Sequence, residues 1–389
     1  MKIVIAPDSF KGSLTNIEVA DAIELGIKEV FPEAEIIKIP MADGGEGTVQ
    51  CLVNATAGKI LRQEVINPLG KKINASYGIL GDQKTAVIEM AEASGITLIS
   101  SEERNPLITT TYGTGQLIKS ALNKGCSKMI IGIGGSATND GGAGMVQALG
   151  VRLLDRQDKE IGFGGAELMN IHHIDISQMD QRISKLEILV ASDVKNPLCG
   201  PSGATRIYGP QKGATEEMMV VLEEALEHFE RIIDETLHKD VKNIPGAGAA
   251  GGLGAGLMAF LDAKLKPGIE IIVEAVKLEK AVKDADLVIT GEGKIDSQTI
   301  YGKVPVGVAK IAKKYDIPVM AIGAIIDKDA EIVHKYGIDF LVKVSDPPMS
   351  LTETKQNKFY LIRNCINQFL KKHMDDILHY KNRESISQN

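Results

Sequence analysis

The chain opens and closes in the same style, and that pairing limits the folds open to it. Two apolar runs near the start, KIVIA (2–6) and AEIIKIP (34–40), have strand length. Three more near the end, ADLVITGEG (285–293), PVMAIGA (318–324) and DFLVKVS (339–345), are of the same kind. Short continuous apolar runs bounded by turn residues read as strands buried on both faces, the pattern of parallel sheets covered by helices. Helical stretches lie between them. Thr15 and Glu18 form a capping-box pattern, after which Ala20, Ile23, Ile27 and Phe31 fall on one helical face. VPVGVAKIAKKYD (304–316) separates two of the late runs. Two strand–helix units at the start and three at the end can share one five-stranded, doubly wound sheet.

The middle of the chain reads differently. TVQCLVNATAG (48–58) is a helix stopped near Gly58, and KKINASYGIL (71–80) and KTAVIEM (84–90) form an antiparallel hairpin across a Gly-Asp turn. Strands KMIIGI (128–133) and EILVAS (187–192), an amphipathic helix over 216–237 and the Gly/Ala-rich GAGAAGGLGAGLMAFL (246–261) follow. The expectation is an α/β protein in which 1–58 and 283–389 build one doubly wound domain and 59–282 is a second, inserted α/β domain. Ligands in such open sheets bind beyond the carboxyl ends of the strands, near a topological switch point. Four conspicuous loops follow expected strands: PDSFKGS (7–13), MADGGEGT (41–48), GIGGSATNDGG (132–142) and TGEGKIDSQT (290–299).

Composition removes several classes of function. Aromatic residues are 4% of the chain, Trp is absent and the formal net charge is −7, which argues against a nucleic-acid partner. The sequence holds no apolar run of membrane-spanning length. The four cysteines are scattered without a Cys-x-x-Cys pair, the pattern of reduced thiols in a cytoplasmic protein. The first apolar run is too short for a signal peptide. No segment repeats at a fixed period, and the polar tail HYKNRESISQN (379–389) reads as a frayed end.

The loops carry the chemistry. No stretch matches a Walker A loop. GAGAAG (246–251) is a literal Gly-x-Gly-x-x-Gly but follows NIP rather than a strand. GIGGSA (132–137) does follow a strand, yet no second strand ends in an acidic residue about twenty positions on, as a ribose contact requires. GIGGSATNDGG supplies Gly134, Gly135, Ser136 and Asn139 before a helix, a setting in which free backbone N–H groups bind an anion. The plainer alternative is a tight turn in which Asn139 or Asp140 caps that helix. PDSFKGS brings Asp8, Ser9, Lys11 and Ser13 together, and MADGGEGT sets Asp43, Glu46 and Thr48 around Gly44 and Gly45. Asp193 ends a strand in ASDVKNPLCG; TGEGKIDSQT supplies Glu292, Lys294 and Asp296, and Lys212 lies between glycines in RIYGPQKGAT. A single carboxylate in such a loop is more often a cap or turn former than a catalyst, whereas several at strand ends suit a divalent metal or proton abstraction. Phosphoryl transfer needs this inventory: cations on the phosphate oxygens, a carboxylate for the attacking hydroxyl's proton, and backbone amides that position anions. The pair His172–His173 has no metal-ligand spacing and reads as structural.

Taken together, APDSFKGS, MADGGEGT, GGSATNDGG, DVKNPLCG, GPQKGA, GAGAAGGLG, TGEGKIDSQT and GKVPVGVA resemble the type 1 (bacterial) glycerate kinases, in the family's order and over about residues 5–310. The resemblance implies a flavodoxin-like α/β domain carrying an inserted α/β domain. It implies ATP- and Mg²⁺-dependent phosphorylation of D-glycerate, usually at the 2-hydroxyl, and no nucleic-acid or membrane partner. Two positions depart from the family pattern: Lys294 stands where Arg is usual, and Lys195 where an acidic or polar residue is common. Lys keeps the charge at 294 but loses bidentate recognition. On this reading Asp193 or Asp296 takes the hydroxyl proton, Asp8 and Asp43 serve the Mg²⁺–phosphate end, and Lys11 neutralises phosphate charge. Ser9, Gly44, Gly45, Glu46, Gly134, Gly135, Ser136, Asn139, Asp140, Lys212, Glu292 and Lys294 are expected to contact substrate or ATP. The two Asp-Gly-Gly loops are expected to face one another across a cleft. Phosphorylation at the 3-hydroxyl stays open from the sequence, and two other classes remain as alternatives, a Rossmann-type hydroxy-acid oxidoreductase and a non-catalytic anion-binding protein.

Overall fold

The structure is a computed structural model that describes residues 1–45, 47–345, 352–353 and 355–380. Glu46 and all but the first two residues of the polar tail therefore lie outside the described residues. The strands in chain order are β1 (Lys2–Pro7), β2 (Glu35–Lys38), β3 (Lys59–Ile66), β4 (Lys72–Ile79), β5 (Thr85–Glu89), β6 (Lys128–Gly132), β7 (Arg152–Leu154), β8 (His173–Asp175), β9 (Glu187–Ala191), β10 (Lys264–Lys266), β11 (Leu287–Ile295), β12 (Val319–Ile326) and β13 (Phe340–Lys343). The chain divides into two compact units, Met1–Asp43 with Ile269–Asn389, and Gly44–Gly268.

The first unit is built on one five-stranded sheet in the order β13-β12-β11-β1-β2. Every pairing in it is parallel. Read from the other edge, the order is that of the flavodoxin-like doubly wound sheet. Alternate residues of the central strands, Ile3 and Ile5, Leu287 and Ile289, Met320 and Ile322, share one core with Ile23 and Ile27 of the helix Asn16–Lys28 and with Ile362, Ile366 and Leu370 of the helix Lys355–Tyr380. Those two helices approach closely: a Cβ at Gly26 would lie 2.6 Å from the Arg363 carbonyl oxygen. The helix Val304–Ala312 packs on β1, β11 and β12 and buries Val304, Val308 and Ala309. The capping box forms as the sequence suggests, with Thr15 Oγ1 accepting from the Glu18 amide and Glu18 accepting from the Thr15 amide.

The second unit has a six-stranded sheet, β10-β9-β6-β5-β4-β3, and a small β7–β8 pair. β3, β4 and β5 are antiparallel, whereas β5, β6, β9 and β10 are parallel. The carboxyl ends of four strands therefore open on one edge of this sheet. The long helix Glu216–Leu237 buries Met219, Leu222, Leu226, Phe229 and Ile233, an i, i+3, i+4 stripe.

The seams between the units precede the boundaries read from the sequence, which fell after residues 58 and 282. The helix Thr48–Ala55 belongs to the second unit because Val49, Leu52 and Val53 are buried against β4 and β5. The helices Gly268–Ala275 and Leu278–Val282 pack with the first unit from Ile269 on. Among the described residues no helix is long and apolar enough to cross a membrane.

Candidate active site

In the first unit the chain leaves β1 for the helix Asn16–Lys28 and β11 for the helix Val304–Ala312. These helices come from the neighbouring central strands, so β1/β11 is the switch point of the sheet. Beyond the carboxyl ends of these strands lies a cavity of about 360 Å³. Asp8, Lys11, Asp43, Glu292, Lys294 and Lys303 are among its walls.

Asp8 is the buried centre of this set, 7% exposed. Its Oδ1 accepts the Ser9 amide at 2.7 Å. Burial and then the Asp43 carboxylate push its pKa up to about 7, against the Ser9 hydrogen bond and the Lys11 charge. Lys11 is exposed and its Nζ lies 3.3 Å from Asp43 Oδ2. Burial works against the Lys11 charge, but Asp43 and Asp8 hold its pKa above the usual lysine value. The Ser13 hydroxyl oxygen, in the same wall, is buried without a hydrogen-bond partner among the described residues.

Across from these residues, β11 delivers Glu292 and Lys294. Thr299 Oγ1 donates to Glu292 Oε1 at 2.6 Å, and Lys303 Nζ lies 3.2 Å from Glu292 Oε2 and 3.7 Å from Asp296 Oδ1. Burial raises the Glu292 pKa despite Thr299 and Lys303. Lys294 Nζ sits 3.1 Å from both Asp296 Oδ2 and Asp327 Oδ2. Asp296 also caps the turn Ser297–Ile300 by accepting the Gln298 amide at 3.0 Å. Burial opposes its ionisation, yet Lys294, the Gln298 amide and Lys303 hold its pKa below the usual carboxylate value. The family's Arg position is thus filled by a lysine that bridges two carboxylates as a point charge. Lys303 was not singled out in the sequence; its position before the helix Val304–Ala312 was the only available signal.

In the second unit the glycine-rich loop after β6 is tied down along its length. The Ile96 amide donates to the Gly135 carbonyl and the Ala137 amide to the Ser94 carbonyl. Gly134 and Gly135 are exposed, whereas Ser136 to Asp140 are buried. Asp140 Oδ2 accepts from the Thr111 amide and hydroxyl, both at 2.8 Å, and from the Gly144 amide at 3.2 Å; Oδ1 accepts the Gly142 amide at 3.2 Å. These bonds work against the burial that raises its pKa. Asp140 thus serves the start of the helix Ala143–Ala148, whereas Asn139 donates its amide to Thr205 Oγ1 at 3.0 Å. Lys212 is not a solvated loop charge. It is 1% exposed, its ammonium donates to the Thr138 carbonyl at 2.6 Å, and burial pushes its pKa down to about 7 against the pull of Asp140.

The second Asp-Gly-Gly segment straddles the seam. Asp43 lies in the first unit and Gly44 begins the second. Gly44 has φ +92°, and a Cβ there would lie 2.8 Å from Ala191 Cβ and 2.9 Å from Gly268 Cα. The Gly45 carbonyl accepts the Thr48 hydroxyl at 2.7 Å. Glu89, at the end of β5, accepts the Val49 amide at 2.8 Å and the Gly47 amide at 3.4 Å, so it caps the helix that follows the loop. Sequence reading passed over Glu89, although an acidic residue closing an apolar strand was a usable signal. Asp193 follows β9 on the same edge, is exposed, and accepts the Gly268 amide at 3.2 Å.

Two dinucleotide-like segments find no Rossmann setting. Residues 246–251 form successive turns before the helix Leu253–Leu261, with no strand leading in. GIGGSA follows β6, but the next helix starts only at Ala143. A larger cavity of about 770 Å³ occurs in the second unit. Its walls come from segment 155–172 and the helix Glu216–Leu237, and none of the four strand-end loops contributes to it. Its size alone does not make it the reacting site, because the strand ends and the carboxylate–lysine clusters lie elsewhere.

Comparison with known proteins gives the family. Residues 3–374 fit the model of the glycerate kinase family. The chain is 58% identical to the glycerate 2-kinase of Escherichia coli (strain K12) over 344 residues, 88% of this chain and 90% of that protein. It is 58% identical to the glycerate kinase of Haemophilus influenzae over 368 residues, covering 94% and 97% of the two chains. A crystal structure from Salmonella typhimurium LT2, given the designation glycerate kinase 2, superposes with a TM-score of 0.89 at 50% identity, over 97% of this chain and 99% of that one. With its parallel α/β sheets and strand-end loops, the chain belongs to the glycerate kinase family.

Proposed function

We propose that the protein transfers the γ-phosphoryl group of ATP to the 2-hydroxyl of D-glycerate, giving 2-phospho-D-glycerate and ADP. One observation carries the reading at the level of the site: lysines and carboxylates are interleaved around a cavity at the sheet's switch point. The name of the Escherichia coli relative, glycerate 2-kinase, supports the choice of hydroxyl. In the reaction the glycerate oxygen forms the new bond to phosphorus, the bond to the β-phosphate oxygen breaks, and the hydroxyl proton passes to a carboxylate. Asp296 is held ionised and is suited to take that proton; Asp193 is the second candidate. Lys11 and Lys294 neutralise developing phosphate charge, with Lys303 holding Glu292 and Asp296 in place.

Asp8 and Asp43 are the residues that would hold Mg²⁺. Asp8 is kept near pKa 7 by burial and a second carboxylate, and the Ser13 hydroxyl has no hydrogen-bond partner among the described residues, so a cation with its phosphate ligands would satisfy both. When bound, Mg²⁺ neutralises phosphate oxygens. In the second unit the exposed Gly134–Gly135 turn is the proposed anion contact, and Ser136, Asn139, Asp140 and Lys212 set its shape. Gly44 and Gly45 supply the remaining loop contacts, with Ser9 and Glu292 supporting the phosphate end. The buried thiols Cys51, Cys126 and Cys199 suit a cytoplasmic enzyme. The reading is tested by ADP release with ATP and Mg²⁺. Release that requires D-glycerate supports it, and release that is indifferent to D-glycerate overturns it.

A further inference from the structure

In the second unit a thiol and two carboxylates converge on one point. Glu223 and Glu227 stand four residues apart on the helix Glu216–Leu237 and so share one face of it. Cys199 comes from the segment after β9, where the Leu198 amide donates to the Lys242 carbonyl. The sulfur and one carboxylate oxygen of each glutamate all lie within 4.8 Å of one another. Each carboxylate is only half engaged. Glu223 Oε1 accepts the Gly200 amide, while its Oε2 is buried with no hydrogen-bond partner among the described residues. Glu227 Oε1 accepts the Lys242 ammonium at 3.0 Å, and its Oε2 takes no hydrogen bond from the described residues. Cys199 is 5% exposed, and its thiol likewise makes no hydrogen bond to them. Like charges four apart on a helix repel, and a buried acceptor without a donor is costly, so this cluster lacks a partner.

We infer that Cys199, Glu223 and Glu227 bind a divalent transition-metal ion, best filled by Zn²⁺, which ties the segment after β9 to the long helix. A thiolate selects against Mg²⁺ and Ca²⁺, which take oxygen ligands, and two carboxylates select against a fully soft ion such as Cu⁺. At usual zinc bond lengths the ligand atoms of a tetrahedral site stand about 3.5 Å apart, so the set closes with side-chain shifts of about 1 Å and water fills the fourth position. The sulfur–metal bond forms as the S–H bond breaks, and the proton passes to solvent. Three negative ligands, a divalent ion and the Lys242 ammonium then sum to zero charge. The Gly200 amide and Lys242 are the outer donors that orient the two carboxylates. Glu227 is exposed and gives the ion its way in.

Co²⁺ tests the site, because a thiolate ligand gives it a charge-transfer absorption and Zn²⁺ displaces it. The full chain is titrated in excess Mg²⁺, which holds the oxygen-only sites. Wild type is compared with Cys199→Ser, Glu223→Gln, Glu227→Gln and Cys365→Ser, each checked for a cooperative melt. Cys365 controls for a thiol that is not fully buried. Wild type should bind one Co²⁺ with a thiolate band, lose the band to Zn²⁺, and melt higher with Zn²⁺ present. The band should vanish in Cys199→Ser and stay in Cys365→Ser, and each Gln variant should bind at least about tenfold more weakly. No thiolate band in folded wild type, a band that survives Cys199→Ser, or a band lost in Cys365→Ser would overturn the inference. If Cys199→Ser does not fold, Glu227→Gln decides, since its side chain is exposed: undiminished Co²⁺ affinity there overturns the site. None of these readouts uses turnover, so the outcome is independent of the kinase reading.

Discussion

Replacing Asp8 by Asn should make the protein more stable at alkaline pH while it removes activity. The carboxyl has an ordinary pKa of 3.8 and one of about 7 in the fold, with burial and Asp43 as the leading causes. A carboxyl whose pKa is raised on folding is stabilising in its protonated form. That contribution is complete below the unfolded value and is lost as pH rises toward the folded value. Between pH 5 and pH 8.5, linkage with these two pKa values costs the wild type about 2.5 kcal/mol of stability. Asn cannot ionise, keeps the shape of the protonated acid and avoids that cost. Urea unfolding of both proteins at the two pH values should show a difference in favour of Asn that widens by about 2.5 kcal/mol at pH 8.5. Mg²⁺ at pH 8.5 should narrow the gap by stabilising the wild type alone, because the cation needs the carboxylate. The reasoning is refuted if the two proteins differ equally at both pH values, or if the wild type gains on Asn as pH rises.

The other predictions concern neighbouring parts of the account. Lys303→Met should lower kcat about 10- to 100-fold with a small change in thermal stability, since it removes the cation held between Glu292 and Asp296; unchanged kcat would remove Lys303 from the site. Gly44→Ala should cost about 1–3 kcal/mol in urea unfolding, because φ is +92° and the new Cβ would lie within 2.9 Å of Gly268 Cα. Lys212→Met should destabilise by about 1–3 kcal/mol by leaving the Thr138 carbonyl without its buried donor; a loss of phosphate affinity with full stability would instead make Lys212 a ligand contact. Asp193→Asn and Asp296→Asn, assayed separately, identify the proton acceptor, and near-normal turnover in both folded variants would discard both candidates.

The strands of the first unit were readable because parallel strands covered on both faces cannot alternate with polar residues. Val4 and Ile5, or Val288 and Ile289, are all fully buried on opposite faces of one sheet. The Thr15 cap was readable because its partners lie three residues apart. The seam after Asp43 was not. An amphipathic helix over 48–55 packs equally well on either unit from its sequence alone, and what decides it is distant: a Cβ at Gly78 would lie 2.5 Å from Val53 and 3.3 Å from Val49. Asp8, Asp43 and Asp296 were visible as residues that follow strands, whereas Glu292 and Lys294, read as part of the loop 290–299, lie in β11, which continues to Ile295 by pairing with β12. Lys303 was passed over because its pairing with Glu292 requires the chain to turn back after Asp296. Lys212 looked like a loop charge because nothing in its neighbours tells that the Thr138 carbonyl will take its ammonium.

The central claim is the identity of the reaction, and the product tests it most directly. Purified protein is incubated with ATP, Mg²⁺ and D-glycerate, and the phosphorylated product is identified by phosphorus NMR. The account predicts 2-phospho-D-glycerate formed in step with ADP. Phosphorylation at the 3-hydroxyl, or the absence of any phosphorylated glycerate from a folded protein, would contradict it.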